Sequence, residues 1–133
     1  MSLIFADAFY FVARLNRYAQ HHLKVMRFSP SPGDRLLTTE WVMLEVADAL
    51  AGSDIRQNIQ NFVDDLRRSP ASEVVPVSSG LFAQALDLYH RHGDKHWTLT
   101  DCTSFVIMRE RGIAKALTGD HHFEQAGFIA LLK

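Results

Sequence analysis

The stretch "WTLTDCTSFVIMRERGIAKALTGDHHFEQAGFIALL", Trp97 to Leu132, decides how the rest of the chain is read. It opens on Thr98-Leu99-Thr100-Asp101, a hydroxyl followed three residues later by an acid, which is the spacing of a helix that caps its own first turn. "CTSFVIMRERG" continues that helix to a glycine stop at Gly112. "IAKALT", Ile113 to Thr118, is short and largely apolar and reads as a strand. Gly119-Asp120 then ends the strand, "DHHFEQA" supplies a single helical turn, and "FIALL" closes as another strand. Helix, strand and an acid just past the strand end make one unit of an alternating α/β chain.

Upstream residues repeat this grammar. "LIFA", Leu3 to Ala6, is wholly apolar and stops at Asp7, as a short buried strand does. Phe9, Val12, Leu15 or Asn16, Ala19 and Leu23 fall near one face and predict a helix over Ala8 to Met26. "SPSPGD", Ser29 to Asp34, is a loop, because two prolines and a glycine cannot continue a helix. "LLTT", Leu36 to Thr39, is a second strand, and Thr39 caps a helix from Glu40 toward Gly52. Asp54 to Arg68 gives another helix with Ile55, Ile59, Phe62 or Val63, and Leu66 as its stripe. "EVVPV", Glu73 to Val77, is a third strand, with Pro76 marking an edge or a strand end. The next helix, "SGLFAQALDLYHRHG", is expected to turn Leu81, Phe82, Ala85, Leu88 and Tyr89 to the core. The order predicts an α/β fold in which a mostly parallel central sheet of four to five strands carries helices on both faces. One domain spans residues 1–133, since a chain of 133 residues is a single domain by length.

Composition narrows the function. Hydrophobic residues make up 47% and charged residues 22%, the balance of a soluble globular protein with a sizeable core. Lys plus Arg total 14 against 15 for Asp plus Glu, so the net charge of -1 excludes a general basic coat for nucleic acid but leaves room for a local basic face. Cys102 is the single cysteine, which excludes an intrachain disulfide, argues against a thiolate zinc site and fits a reducing cytoplasmic setting. "MSLIFADAFYF" lacks a basic start and carries an acid at position 7, so it makes a poor signal peptide, and no apolar run approaches the roughly 20 residues that span a bilayer.

Four acids are candidates for chemistry. In an open parallel sheet, function collects at the carboxyl ends of the strands. Asp7 follows the first strand and Asp120 the fourth; Asp101 lies in the first turn of the helix before the fourth strand, and Glu45 lies one to two turns into the helix after the second. Glu40 is the rival of Glu45, but five residues separate them, so they point about 140° apart on a helix. Glu45 has Trp41, Val42 and Ala49 on its side, the apolar one, whereas Glu40 opens the helix, where an exposed acid is routine; Asp48 belongs at the solvated margin. Each acid also has an ordinary reading: Asp120 as a turn residue, Asp101 as a capping acid, Asp7 as an N-cap and Glu45 as a solvated helix acid. The topology, however, sends all four to one rim. Clustered carboxylates repel one another and raise one another's pKa, and an all-oxygen set suits Mg²⁺ or Mn²⁺.

With these residues in view, the chain resembles the PIN-domain ribonucleases of the VapC-like toxin kind over essentially its whole length. "WTLTDC" and "ALTGDHHFEQAGF" carry the most specific part; "LIFAD" and "TTEWVMLEVADAL" match the family's first and second motifs. The resemblance implies a PIN-like three-layer α/β/α fold, with Asp7, Glu45, Asp101 and Asp120 as the acidic metal-binding set. It further implies a Mg²⁺- or Mn²⁺-dependent endoribonuclease that leaves a 5′-phosphate and a 3′-hydroxyl. An RNA substrate, a protein antitoxin and a homodimer would be its partners. The alternative is a catalytically silent PIN-like module that binds RNA or protein. One position departs from the pattern: many family members follow the first Asp with Ser or Thr, and here Ala8 stands there, leaving Thr118 as the nearby hydroxyl.

The remaining conspicuous residues read as supporting parts. Adjacent His121 and His122 point apart on one turn, so they are expected beside the site or in contact with RNA rather than sharing one ion. His90, His92 and His96 have no ligand spacing. Trp97 is expected to cap the core, and Cys102 to be an inert core thiol. Arg14, Arg17, Lys24, Arg27, Arg67 and Arg68 are candidates for an RNA-facing rim, whose phosphate contacts would be salt-sensitive.

Overall fold

The apolar run Leu3–Ala6 becomes β1, the central strand of a five-stranded sheet, with Ile4, Phe5 and Ala6 all buried. The computed structural model describes residues 2–133. Its strands are β1, β2 (Arg35–Thr39), β3 (Ser72–Val75), β4 (Lys115–Leu117) and β5 (Ile129–Ala130), in the order β3-β2-β1-β4-β5. Every neighbouring pair is parallel. Parallel neighbours need a crossover between them, and seven helices supply it: α1 (Ala8–Leu15), α2 (His22–Arg27), α3 (Glu40–Ala49), α4 (Ile59–Arg68), α5 (Ser79–Arg91), α6 (Leu99–Arg111) and α7 (His121–Gln125). The α/β architecture read from the sequence is thus present, with all sheet pairs parallel.

The register places the site. Phe5 pairs with Leu37 on one side and Ala116 on the other, and Ala6 pairs with Leu117. Asp7 N–H then donates to Leu117 O at 3.3 Å, so the chain just past β1 stays against the chain just past β4. Thr38 Oγ1 donates to Ala6 O at 2.9 Å and ties the end of β2 to the same rim. The core beneath is aromatic: Phe105 of α6 packs edge-on against Trp97 and Phe123 with ring centres 5.0 Å away in both cases. From Asp101 to Phe105, every residue of α6 is buried, the polar Asp101, Thr103 and Ser104 included.

Three local expectations are corrected. The single helix over Ala8 to Met26 is two helices, because Asn16 leaves the helical conformation and its Oδ1 accepts from Tyr18 N–H at 3.0 Å. Such a side chain offers the backbone an alternative to the next helical turn. The helix expected from Asp54 begins as a 3-10 turn over Asp54–Asn58 before α4. Phe82 and Tyr89, expected in the core, are 43% and 47% exposed and form an outer stripe of α5 with Leu86. No helix of the described residues is long and apolar enough to cross a membrane.

Candidate functional site

Asp7 takes the N-cap position of α1 but makes no side-chain cap hydrogen bond. Its Oδ2 instead accepts from Thr118 Oγ1 at 2.9 Å, across the seam between the β1 and β4 ends. Thr118 Oγ1 in turn accepts from Asp120 N–H at 3.1 Å, so one buried hydroxyl positions both acids. Asp120 caps α7, its Oδ1 accepting from His122 N–H at 2.9 Å.

Asp101 arrives from the other side on α6. The capping box forms in full: Asp101 N–H donates to Thr98 Oγ1 and Thr98 N–H donates to Asp101 Oδ2, each at 3.0 Å. The same Oδ2 receives His122 Nδ1 at 2.9 Å. Both bonds fall on one oxygen of the carboxylate. The capping reading of Asp101 and the convergence with the other acids therefore hold together in one side chain. Glu45 reaches the rim half-buried from α3. Glu40, on the same helix, turns away to Arg67 Nη2 at 2.6 Å and Val77 N–H at 2.7 Å. Asp48 is exposed.

The four carboxylates sense one another. Burial pushes Asp7 up to about 7, against the Thr118 hydrogen bond that lowers it, and the charges of Glu45 and Asp101 push further up. Glu45 is raised by burial first, then by the charges of Asp101 and Asp120. Asp101 is raised by burial, opposed by its bonds to Thr98 and His122, with Asp120 adding to the rise. Among the described residues no lysine or arginine forms an ion pair with any of the four. Among the described residues the basic groups within ion-pair distance of them are His121 and His122. Three carboxyls with raised pKa and, among the described residues, no arginine or lysine partner have surroundings that favour an added positive charge. All of the side-chain donors from these acids are hard oxygens, which fits Mg²⁺ or Mn²⁺. Among the described residues, the one group of three possible ligand residues whose ligand atoms all lie within 4.8 Å of one another is Asp120, His121 and His122; Asp7, Glu45 and Asp101 do not complete such a group.

The PIN domain family matches residues 4–129. The chain belongs to the PIN domain family. PIN proteins similar to it include the 23S rRNA-specific endonuclease VapC20 of Mycobacterium tuberculosis, in the strains CDC 1551 / Oshkosh and ATCC 25618 / H37Rv. The identity is 36% over 64 residues, 48% of this chain and 49% of VapC20, so the match spans about half the length of those curated relatives. The crystal structure of M. tuberculosis VapC20, a Sarcin-Ricin loop cleaving toxin, aligns with a TM-score of 0.85 and 27% identity over 96% of this chain and 98% of that one. The PIN fold of the two is thus shared through nearly the whole chain.

Sequence reasoning left the role of His122 in this PIN protein open. Its two bonds, backbone to Asp120 and ring to Asp101, join acids from α6 and α7. The only signal was its place two residues after an N-cap acid, which cannot reveal a partner 21 residues upstream. Trp97 is buried, its indole N–H donating to Gln125 Oε1 at 3.1 Å, and so caps the core as expected. Cys102 is buried and its thiol is pushed up to about 11 by burial and by the Asp101 charge, leaving it inert. Arg67 is engaged with Glu40 and Lys24 donates to Leu132 O at 3.1 Å, so these two cations have structural partners.

Proposed function

We propose that this PIN protein is a divalent-metal-dependent endoribonuclease, the toxin of a toxin–antitoxin pair acting on RNA in the cytoplasm. The observation that carries the reading is the linkage of three acids at one rim of the sheet, Thr118 joining Asp7 to the Asp120 backbone and His122 joining Asp120 to Asp101. Asp7, Asp101 and Asp120 would hold Mg²⁺ or Mn²⁺ directly or through water. When bound, the cation polarises the phosphodiester and makes water a better nucleophile at neutral pH. The chain's own residues do the rest. Thr118 holds Asp7 and the Asp120 backbone, and His122 fixes the orientation of Asp101. Glu45 would ligate the cation or orient the attacking water; burial and the charges of Asp101 and Asp120 raise its pKa. Attack at phosphorus expels the 3′-oxygen and leaves a 5′-phosphate. A protein antitoxin and a second copy of the chain are the expected partners.

The substrate of VapC20 indicates which RNA to try first. Purified protein is incubated with an RNA hairpin of the sarcin–ricin type and with total RNA, in Mg²⁺, Mn²⁺ or chelator. Cleavage that needs the metal and yields 5′-phosphate ends supports the reading. Asp7→Asn and Asp101→Asn should each lower the rate by at least about a hundredfold, the scale on which disturbing a metal site acts. Cleavage that survives both substitutions, or that persists in chelator, contradicts it.

A further inference from the structure

Beside the acids, and sharing Glu45 with them, runs a groove of about 320 Å³ between α1, the α1–α2 connection and α3. Phe9, Val12, Gln20, His21, Glu45 and Ala49 line it. Its walls are apolar apart from the ends, and one wall is a ring pair: the centres of Phe9 and His21 lie 5.0 Å apart with their planes 35° from parallel. Phe9 is not free to leave. Its far face lies against Gly119, the residue before Asp120, so closely that a Cβ there would meet Phe9 Cζ at 2.7 Å. The groove wall is therefore braced by the turn that carries an acid. Close in the chain to Ala19, which also lines the groove, the exposed Arg17 guanidinium lies 4.9 Å from the Tyr18 ring centre and donates to its hydroxyl at 2.7 Å, with Tyr18 80% exposed.

We infer that this groove takes one unstacked nucleobase next to the scissile phosphate of the RNA substrate, packed on the Phe9–His21 pair with Gln20 at its edge. The inference rests on the nuclease reading for the position of the phosphate. Four features point to a nucleotide. Bases pulled out of a loop stack on aromatic and imidazole rings. Gln20 offers both a donor and an acceptor to a base edge. Arg17 supplies a guanidinium for a neighbouring phosphate. Glu45 makes the groove continuous with the acidic rim, so a base in the groove leaves its own phosphate beside the acids. Phe9 and His21 act as positioning residues for the reaction.

The test separates the groove from the chemistry. The metal-free protein is titrated with each of the four 5′-mononucleotides and with ribose 5-phosphate, with NMR reading the Phe9 and His21 rings and the Ala49 methyl. Nucleotides should move these signals and ribose 5-phosphate should not. Ala49→Trp, made at an exposed position to fill the groove, should abolish the shifts; His21→Ala should weaken them. In RNA cleavage, Ala49→Trp should raise KM on the order of ten- to a hundredfold, the loss of one stacked base, with a smaller change in kcat. Equal shifts with ribose 5-phosphate, no shifts at these three residues, or unchanged shifts and KM in Ala49→Trp would overturn the inference; the last result would hand the groove to a protein side chain. If the wild type cuts no RNA, the nuclease reading fails while the mononucleotide titration still decides the groove.

Discussion

Helix α3 carries two glutamates whose surroundings are opposite. Glu40 accepts from Arg67 at 2.6 Å and from Val77 N–H at 2.7 Å, joining α3 to α4 and to the chain after β3. Glu45, five residues on, feels the charges of Asp101 and Asp120 and borders an apolar groove. The same contrast divides the molecule. At the β3 edge, Glu73 is clasped by both terminal nitrogens of Arg111, at 2.8 and 3.3 Å, and is held below the usual glutamate range. Asp7, just past β1, and Asp101, in the first turn of α6, are held above theirs. Acids that a cation of the chain already satisfies are structural. Acids that the chain buries together without one are available to a cation from outside.

The largest way to break this comparison is to vary pH in the absence of metal. Below pH 3.8 the Asp7 carboxyl is protonated whether the chain is folded or not, so it leaves stability unchanged. As pH rises from 3.8 toward about 7, the unfolded chain loses the proton while the folded chain keeps it, and stability falls through that window. The loss is on the order of a few kcal/mol and is complete above the folded value. Thermal melts in chelator should show the fall, Asp7→Asn should flatten it, and Mg²⁺ or Mn²⁺ at pH 8 should restore much of the melting temperature. A melting temperature indifferent to both pH and metal would remove the distinction between the two kinds of acid.

Gly119→Ala probes the seam between the regions. Gly119 does not have positive φ, so space alone decides the outcome. The added Cβ must displace the Phe9 ring, and overpacking of this kind destabilises by about 1–3 kcal/mol. Cleavage should fall with it, because Asp120 is the next residue. A variant that melts and cleaves like the wild type would show that the contact is soft. The smallest effect sharpens the other half of the comparison. Glu40→Ala removes a partly exposed ion pair and the side-chain acceptor of the Val77 N–H, and should lower stability by about 1 kcal/mol while leaving the metal-dependent cleavage rate within about twofold. A loss of cleavage comparable to that of Asp101→Asn would move Glu40 into the site.

Much of this was legible before the fold. The acids after β1 and β4, the capping box at Thr98 and the choice of Glu45 over Glu40 follow from local rules: strand ends, N-caps and the angle per residue of a helix. What was hidden is what those rules cannot carry. Asn16 breaks the first helix by a side-chain bond that hydrophobic spacing does not register. Phe82 and Tyr89 lie on the margin of the apolar stripe of α5, and which margin residues are covered depends on the neighbouring elements, not on the period. The brace of Phe9 on Gly119 joins residues 110 apart in the chain, and the Thr118–Asp7 bond spans 111. Both exist because β1 and β4 are neighbours, a pairing that chain order alone does not dictate.

The most direct measurement is a crystal of the protein grown with Mn²⁺, with the anomalous signal of the ion located against the side chains. The account predicts one or two peaks held by carboxylate oxygens of Asp7, Asp101 and Asp120, with Glu45 alongside, and none in crystals of Asp7→Asn. A peak gripped instead by His121, His122 and Asp120 out of reach of Asp7, or no peak at millimolar Mn²⁺, would contradict it.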